Sequence, residues 1–206
     1  PMAYDSRRKV IVLFGGYVRG GAVVGDTWEW GGENWILKDA GTGPSARNSS
    51  AMAYDDSRGV MVLFGGSDEP TASGTSDTWE WDGVKWNKLT TTNNPDPRFD
   101  HVLAYSPMRS SVLMMGGCNY DQAFEIWQFT DGDWLLLQAT PSEIQSRRSV
   151  GFAYDPSRER AIVYGGWTAE SEPLDELWEW DGSSWQQIAR TDPWPPKVLS
   201  PAMAFD

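Results

Sequence analysis

One histidine and one cysteine bound the chemistry open to this 206-residue chain. His101 is the only imidazole that could act as a general base. Neither Cys118 nor any serine lies in a nucleophile elbow, so no Ser or Cys triad can be assembled. A zinc centre built on His and Cys needs three or four such ligands, and a lone Cys closes no internal disulfide. Carboxylates are more plentiful, with Asp68, Glu69, Asp121, Glu170, Glu172 and Asp175 falling between apolar runs. Glycosidase chemistry would need two of them across a pocket, and calcium would need regularly spaced oxygen ligands. No spacing pairs any two, so they read as solvated loop charge. Gly15, Gly16, Gly20 and Gly21 lack the Lys and the following helix of a phosphate loop. Asn48-Ser49-Ser50 matches a glycosylation acceptor. The expectation is no catalytic residue, no metal site and no cofactor.

Composition narrows the partners further. Seventeen basic against 29 acidic side chains give a net charge of −12, which repels phosphates and makes nucleic acid and anionic membranes poor partners. No run of 18 apolar residues occurs. Pro1-Met2-Ala3-Tyr4-Asp5 lacks the basic and apolar regions of a signal peptide, and a start without Met leads us to expect lost upstream sequence. An extracellular or secreted location is favoured over a cytoplasmic one. Thirteen Trp exclude an intrinsically disordered chain.

Elements able to position any site come from a repeat. Tyr4, Tyr54, Tyr105, Tyr154 and Phe205 each follow an Ala and lie 49 to 51 residues apart. A Gly pair comes eleven residues after each Tyr: Gly15-Gly16, Gly65-Gly66, Gly116-Gly117 and Gly165-Gly166. Next comes an aromatic triplet: Trp28-Glu29-Trp30, Trp79-Glu80-Trp81, Trp127-Gln128-Phe129 or Trp178-Glu179-Trp180. After four intervening residues stands another Trp: Trp35, Trp86, Trp134 or Trp185.

Each repeat reads as four short strands. A small apolar strand ends at an Asp or Ser turn. A continuous apolar run such as Val60 to Phe64, buried on both faces, ends at the Gly pair. The triplet forms strand three, its two rings on one face, and a turn such as Asp82-Gly83 leads to strand four. No segment has a helical period. The prediction is all-β.

Phe14-Gly15-Gly16, Trp28-Glu29-Trp30 and Trp35, with their three sets of counterparts, make the chain resemble the kelch-repeat family throughout its length. The resemblance implies a kelch-type β-propeller with four blades of four antiparallel strands, the first strand innermost. Blade limits are about 1–47, 48–98, 99–147 and 148–198, with an extra innermost strand at 200–206. Five first strands against four of every other kind imply an incomplete arc, or one completed by another chain. Open blade edges favour self-association. Some kelch proteins are copper radical oxidases, but that chemistry needs several His ligands.

Recurring residues belong to the framework, so residues off the beat are the candidates for recognition. Arg8, Arg58, Arg109 and Arg158 recur and read as structural, and Glu29, Glu80 and Glu179 read as their acceptors. Loops from strand two to three, and from strand four to the next strand one, are long, variable and open on one face. Off-beat aromatics gather there: Tyr17, Phe99, Tyr120, Phe124, Trp167 and Trp194. Arg47, Arg98 and Arg147 recur, leaving both a hydrogen-bonding role and ligand contact open. The candidate ligand-binding set is Tyr17, Arg19, Arg47, Arg98, Phe99, Tyr120, Trp167 and Glu170. The function expected is non-catalytic binding of a protein segment or glycan through this face. The alternatives are part of a kelch-type carbohydrate- or sialic-acid-modifying enzyme, or a self-associating structural repeat.

Overall fold

A computed structural model describes residues 1–68, 74–117, 124–138, 144, 147–168, 172–198 and 200–204. These residues contain sixteen strands and no helix. The first sheet holds β1 (Met2–Asp5), β2 (Val10–Tyr17), β3 (Val23–Trp30) and β4 (Trp35–Asp39). The second holds β5 (Ala51–Asp55), β6 (Val60–Phe64), β7 (Thr78–Trp81) and β8 (Trp86–Lys88). The third holds β9 (Val102–Ser106), β10 (Ser111–Met115), β11 (Ile126–Thr130) and β12 (Asp133–Gln138). The fourth holds β13 (Gly151–Asp155), β14 (Arg160–Tyr164), β15 (Leu177–Trp180) and β16 (Trp185–Ile188). Every sheet is antiparallel, with its strands side by side in chain order.

Local chemistry sets the short turns. Asp5 accepts the backbone N–H of Arg7 and Arg8 at 3.0 and 2.8 Å, and its other oxygen accepts the Arg8 Nε–H at 2.6 Å. Arg8 also donates to Glu29 at 2.5 Å, tying the turn to strand three. Arg58 joins Asp55 to Glu80 in the same way, and Arg158 joins Asp155 to Glu179. The third sheet replaces both acids, with Ser106 and Gln128, and Arg109 turns instead to the Gly182 carbonyl of the next sheet at 3.1 Å. Gly65 has φ +60°, and a Cβ there would lie 2.6 Å from the Arg98 carbonyl oxygen. Only glycine lets the connecting segment approach so closely.

The sheets stand in a row, β1 packing on β5, β5 on β9 and β9 on β13, with no comparable packing between β13 and β1. Three apolar cores fill the three junctions. At each, a ring at the start of the following sheet's fourth strand turns edge-on to a ring of the preceding sheet. Phe14 meets Trp86 at 5.3 Å between centroids, and Phe64 meets Trp134 at 5.1 Å. The third sheet has Met115 where a ring is expected, and Phe124 takes over, 5.5 Å from Trp185. Phe124 is thus buried core, not a recognition residue. Burying one such Trp removes roughly 200 Å² from water, worth about 5 kcal/mol.

Two expectations about the ends of elements change. The first long loop, expected over Tyr17 to Gly25, is partly strand, because β2 runs to Tyr17 and pairs with Val23, leaving a turn over 18–22 closed by Val18 N–H to the Ala22 carbonyl at 3.0 Å. Residues 201–204 form no strand, since no second strand lies beside them. Pro201 and Met203 instead lie against Gly151 of β13.

The junction rings carry polar tips that must be matched. Trp86 Nε1 donates to Thr27 Oγ1 at 2.8 Å and Trp134 Nε1 to Thr78 Oγ1 at 2.9 Å. Ile126 holds the equivalent place in the third sheet, and the buried Trp185 Nε1 has no acceptor among the described residues. Thr78→Val should therefore cost about 1–3 kcal/mol by orphaning the Trp134 N–H. Ile126→Val removes only a methylene and should cost about 0.5–1.5 kcal/mol. Urea denaturation of both variants checks the order.

Candidate binding face

Antiparallel order puts the strand-two-to-three connections and the sheet-to-sheet connections on one face. Two of the expected ligand residues on that face are sealed inside the framework. Arg47 is buried, and each nitrogen of its guanidinium is engaged. Nε donates to the Ser45 carbonyl at 3.1 Å, Nη1 to the Gly65 carbonyl at 3.1 Å and Asp77 at 2.5 Å, and Nη2 to Ser45 Oγ at 2.8 Å and Asp77 at 3.0 Å. Arg98 is fully buried and donates to the Asp96 and Gly116 carbonyls, each at 3.1 Å, and to Glu125 at 2.7 Å. Arg147 reaches Glu176 at 2.8 Å. Ligand contact by Arg47 and Arg98 is thus corrected to a structural role: both guanidinium groups are buried, and every nitrogen of each already donates to the framework.

These acids, and Asp26 at the matching place in the first sheet, also accept an indole N–H. Trp28, Trp79, Trp127 and Trp178 give their indole N–H to Asp26, Asp77, Glu125 and Glu176 at 2.6, 2.7, 2.8 and 3.0 Å. Burial would raise the Asp77 carboxyl, but the Arg47 guanidinium and the Trp79 N–H outweigh it and hold Asp77 below the usual carboxylate range. Glu176 behaves alike, with Trp178 and Arg147 outweighing burial.

Other candidates surround the inner end of this face. Tyr17 is exposed at the end of β2, and Arg19 is exposed in the following turn. Phe99 is half-buried beside Arg98. Trp167 is half-buried and bridges to Arg148 and to Pro173. Tyr120 and Glu170 lie outside the described residues, as do Glu69, Cys118 and Asp121. Trp194 anchors its own loop, donating Nε1–H to the Asp175 carbonyl at 2.7 Å.

The innermost rim was not found by asking for odd aromatics. Ser49, Asp100, Ser149 and Ser200 each stand two residues after the Arg position and adopt φ of 52°, 56°, 52° and 49°. Asp100 N–H donates to the Ser49 carbonyl at 2.9 Å, and Ser149 N–H to the Asp100 carbonyl at 3.1 Å, so a line of backbone bonds joins the sheets here. Arg148 lies beside it, paired through its backbone with Trp167 at 3.1 and 3.0 Å. Among the described residues its guanidinium has no ion pair. Applying the off-beat test to polar residues would have picked out Asp100 among serines and Arg148 opposite Asn48 and Phe99.

Compared with known proteins, the chain matches no family model and no curated sequence. Its chemistry must be read from the geometry alone. His101 is buried with Nε2 3.1 Å from the Phe64 carbonyl, which the N–H form satisfies. Burial, and then the charge of Arg98, push it down to about 3, so it stays neutral and serves the junction core. A hollow on the opposite, short-turn face is lined by Tyr4, Tyr54 and Tyr105, but the Tyr54 hydroxyl is already bound to Asp5.

Two measurements follow. Arg98→Met should cost about 3–5 kcal/mol by leaving Glu125 and two carbonyls unpaired, whereas Arg19→Ala should stay within about 0.5 kcal/mol, both read by urea denaturation. His101 binds a proton more weakly when folded than when unfolded, so its contribution to stability falls as pH drops from about 6.5 towards 3. Native carboxylates held low lose their contribution only below about pH 4.5, which isolates the histidine above that point. His101→Gln should flatten the dependence of melting temperature on pH between about 4.5 and 6.5.

Proposed function

We propose that the chain is a four-blade arc of a kelch-type propeller whose long-connection face binds a protein segment or a glycan without transforming it. One observation carries the reading. The long-connection face carries exposed Tyr17 and Arg19, half-buried Trp167 and Phe99, and Arg148, whose guanidinium has no ion pair among the described residues, while the recurring arginines on that face are consumed internally. Aromatic rings supply stacking area at low entropic cost, and a lone guanidinium selects carboxylate or carbonyl groups. The net charge of −12 favours neutral or locally acidic-tolerant partners over phosphate backbones. Neutral, buried His101 offers this face no general base.

Immobilised protein probed with a glycan array and a displayed peptide library tests the reading. Tyr17→Ala and Arg148→Ala are each expected to weaken the selected ligand about tenfold, about 1.4 kcal/mol, with melting temperature unchanged. Unchanged binding in both variants overturns it, as does a loss of stability that makes these side chains packing residues.

A further inference from the structure

Arg148 and Trp167 exchange two backbone hydrogen bonds, Arg148 N–H to the Trp167 carbonyl at 3.1 Å and Trp167 N–H to the Arg148 carbonyl at 3.0 Å. Trp167 bridges in turn to Pro173, and Thr168 N–H to the Glu172 carbonyl at 3.1 Å continues that ladder. Arg148, Trp167 and Pro173 therefore stand abreast. Residues that exchange both bonds have Cα atoms about 5.5 Å apart and side chains on the same side. Gly166, at φ +94°, permits the approach, since a Cβ there would lie 2.8 Å from the Arg148 carbonyl oxygen.

Burial of the neighbours decides which side of the ladder faces outward. Arg147 and Thr168, adjacent to Arg148 and Trp167 in the chain, are 2% and 8% exposed. Alternation then turns Arg148, Trp167 and Pro173 away from the interior, and each is half-buried. The second sheet builds the same ladder from Asn48, Ser67 and Gly74. Small neutral groups thus serve the fold at these places, and the guanidinium, indole and pyrrolidine ring of the fourth sheet answer to something else. Arg148 has no ion pair among the described residues, so a ligand finds it uncommitted.

We propose that Arg148, Trp167 and Pro173 form a shelf for one uronic-acid residue of an otherwise neutral glycan. The proposal rests on the binding function above and names its ligand. The indole and the pyrrolidine ring offer apolar surface to the C–H face of a pyranose. One ladder step away, the guanidinium meets a planar carboxylate with paired N–H donors. A uronic acid carries both features on one rigid unit, with ring and carboxylate joined by a single bond. A peptide Asp or Glu brings its carboxylate on a flexible stem with no ring beside it. The net charge of −12 disfavours polyanions, which leaves a solitary acidic residue as the match.

Isothermal titration of the full chain with methyl glycosides of glucuronic, galacturonic and mannuronic acid, and with the matching neutral hexosides, tests the assignment. Each pair differs only in a carboxylate for a hydroxymethyl group. At least one uronide should bind about tenfold tighter than its hexoside. Arg148→Gln should erase that difference and leave the hexoside affinity unchanged, whereas Lys85→Gln, in the turn between β7 and β8 on the opposite face, should preserve it. Trp167→Leu should weaken uronide and hexoside by the same factor, about fivefold. Uronides that only match their hexosides, or a preference that survives Arg148→Gln, overturn the proposal. A hexoside affinity that still falls in Tyr17→Ala then leaves the binding function standing. Binding of acidic peptides with no response to any uronide likewise overturns the glycan assignment and keeps the binding function, and binding of neither overturns both. Should Trp167→Leu fail to fold by circular dichroism, the comparison of uronide with hexoside still decides, because it alters only the ligand.

Discussion

The whole arrangement depends on a buried guanidinium between consecutive sheets. Arg47, Arg98 and Arg147 each leave one sheet's last connection and end on an acid of the next. Removing a cation from water costs several kcal/mol, and the site recovers that only with well-aligned acceptors. Arg47 finds carbonyls at Ser45 and Gly65 and both oxygens of Asp77, so its position fixes the connection, the Gly pair and the start of strand three together. A sheet displaced by one residue would leave a desolvated charge unpaired. Apolar rings supply most of the junction energy, but they tolerate sliding, and the arginine does not.

The sixteen strands were legible because the framework is written four times over. Two rings two residues apart, a Gly pair and a turn acid each have one local meaning, and repetition removes chance from the reading. The buried arginines were harder to read, since recurrence alone identifies a framework residue without naming its partner. Their acids stand 27 to 30 residues downstream and alternate between Asp and Glu, so no fixed motif ties them. Phe124 illustrates the opposite failure. It looks off the beat, yet it fills the space left because Met115 is not aromatic. Tyr17 was placed at the right end of its strand but in a loop, because its pairing with Val23, like the bridges of Ser67 to Gly74 and Trp167 to Pro173, lies beyond the Gly pair that marks the end of the strand in the sequence.

Departures from the repeat come in matched sets. The third sheet loses the turn acid to Ser106 and the triplet acid to Gln128, and either loss alone would leave one carboxylate facing Arg109. With both gone, Arg109 is free to swing to the Gly182 carbonyl and stack on Trp180. Arg109 consequently strengthens the contact between sheets instead of bracing its own. Its junction is also the one where Trp185 lacks an acceptor over Ile126. A weaker polar lock on one ring is therefore accompanied by an added hydrogen bond across the same interface, from Arg109 to the Gly182 carbonyl, while its stacking on Trp180 parallels that of Arg58 on Phe129.

This division of labour explains how a binding rim can vary without disturbing the fold. The rim is held by main-chain bonds, Asp100 to Ser49 and Ser149 to Asp100, in a left-handed conformation that small and Asx side chains accept. Side chains at the neighbouring places Asn48 and Arg148 contribute little to that line because their pairing to Ser67 and Trp167 is also through the backbone. Spacing around the rim is instead set one layer deeper, by the guanidinium junctions. Recognition residues are thus carried on a frame whose geometry they do not determine. Under the proposed binding function, a ligand would meet a backbone already fixed by these main-chain bonds, which lowers the entropic cost of binding.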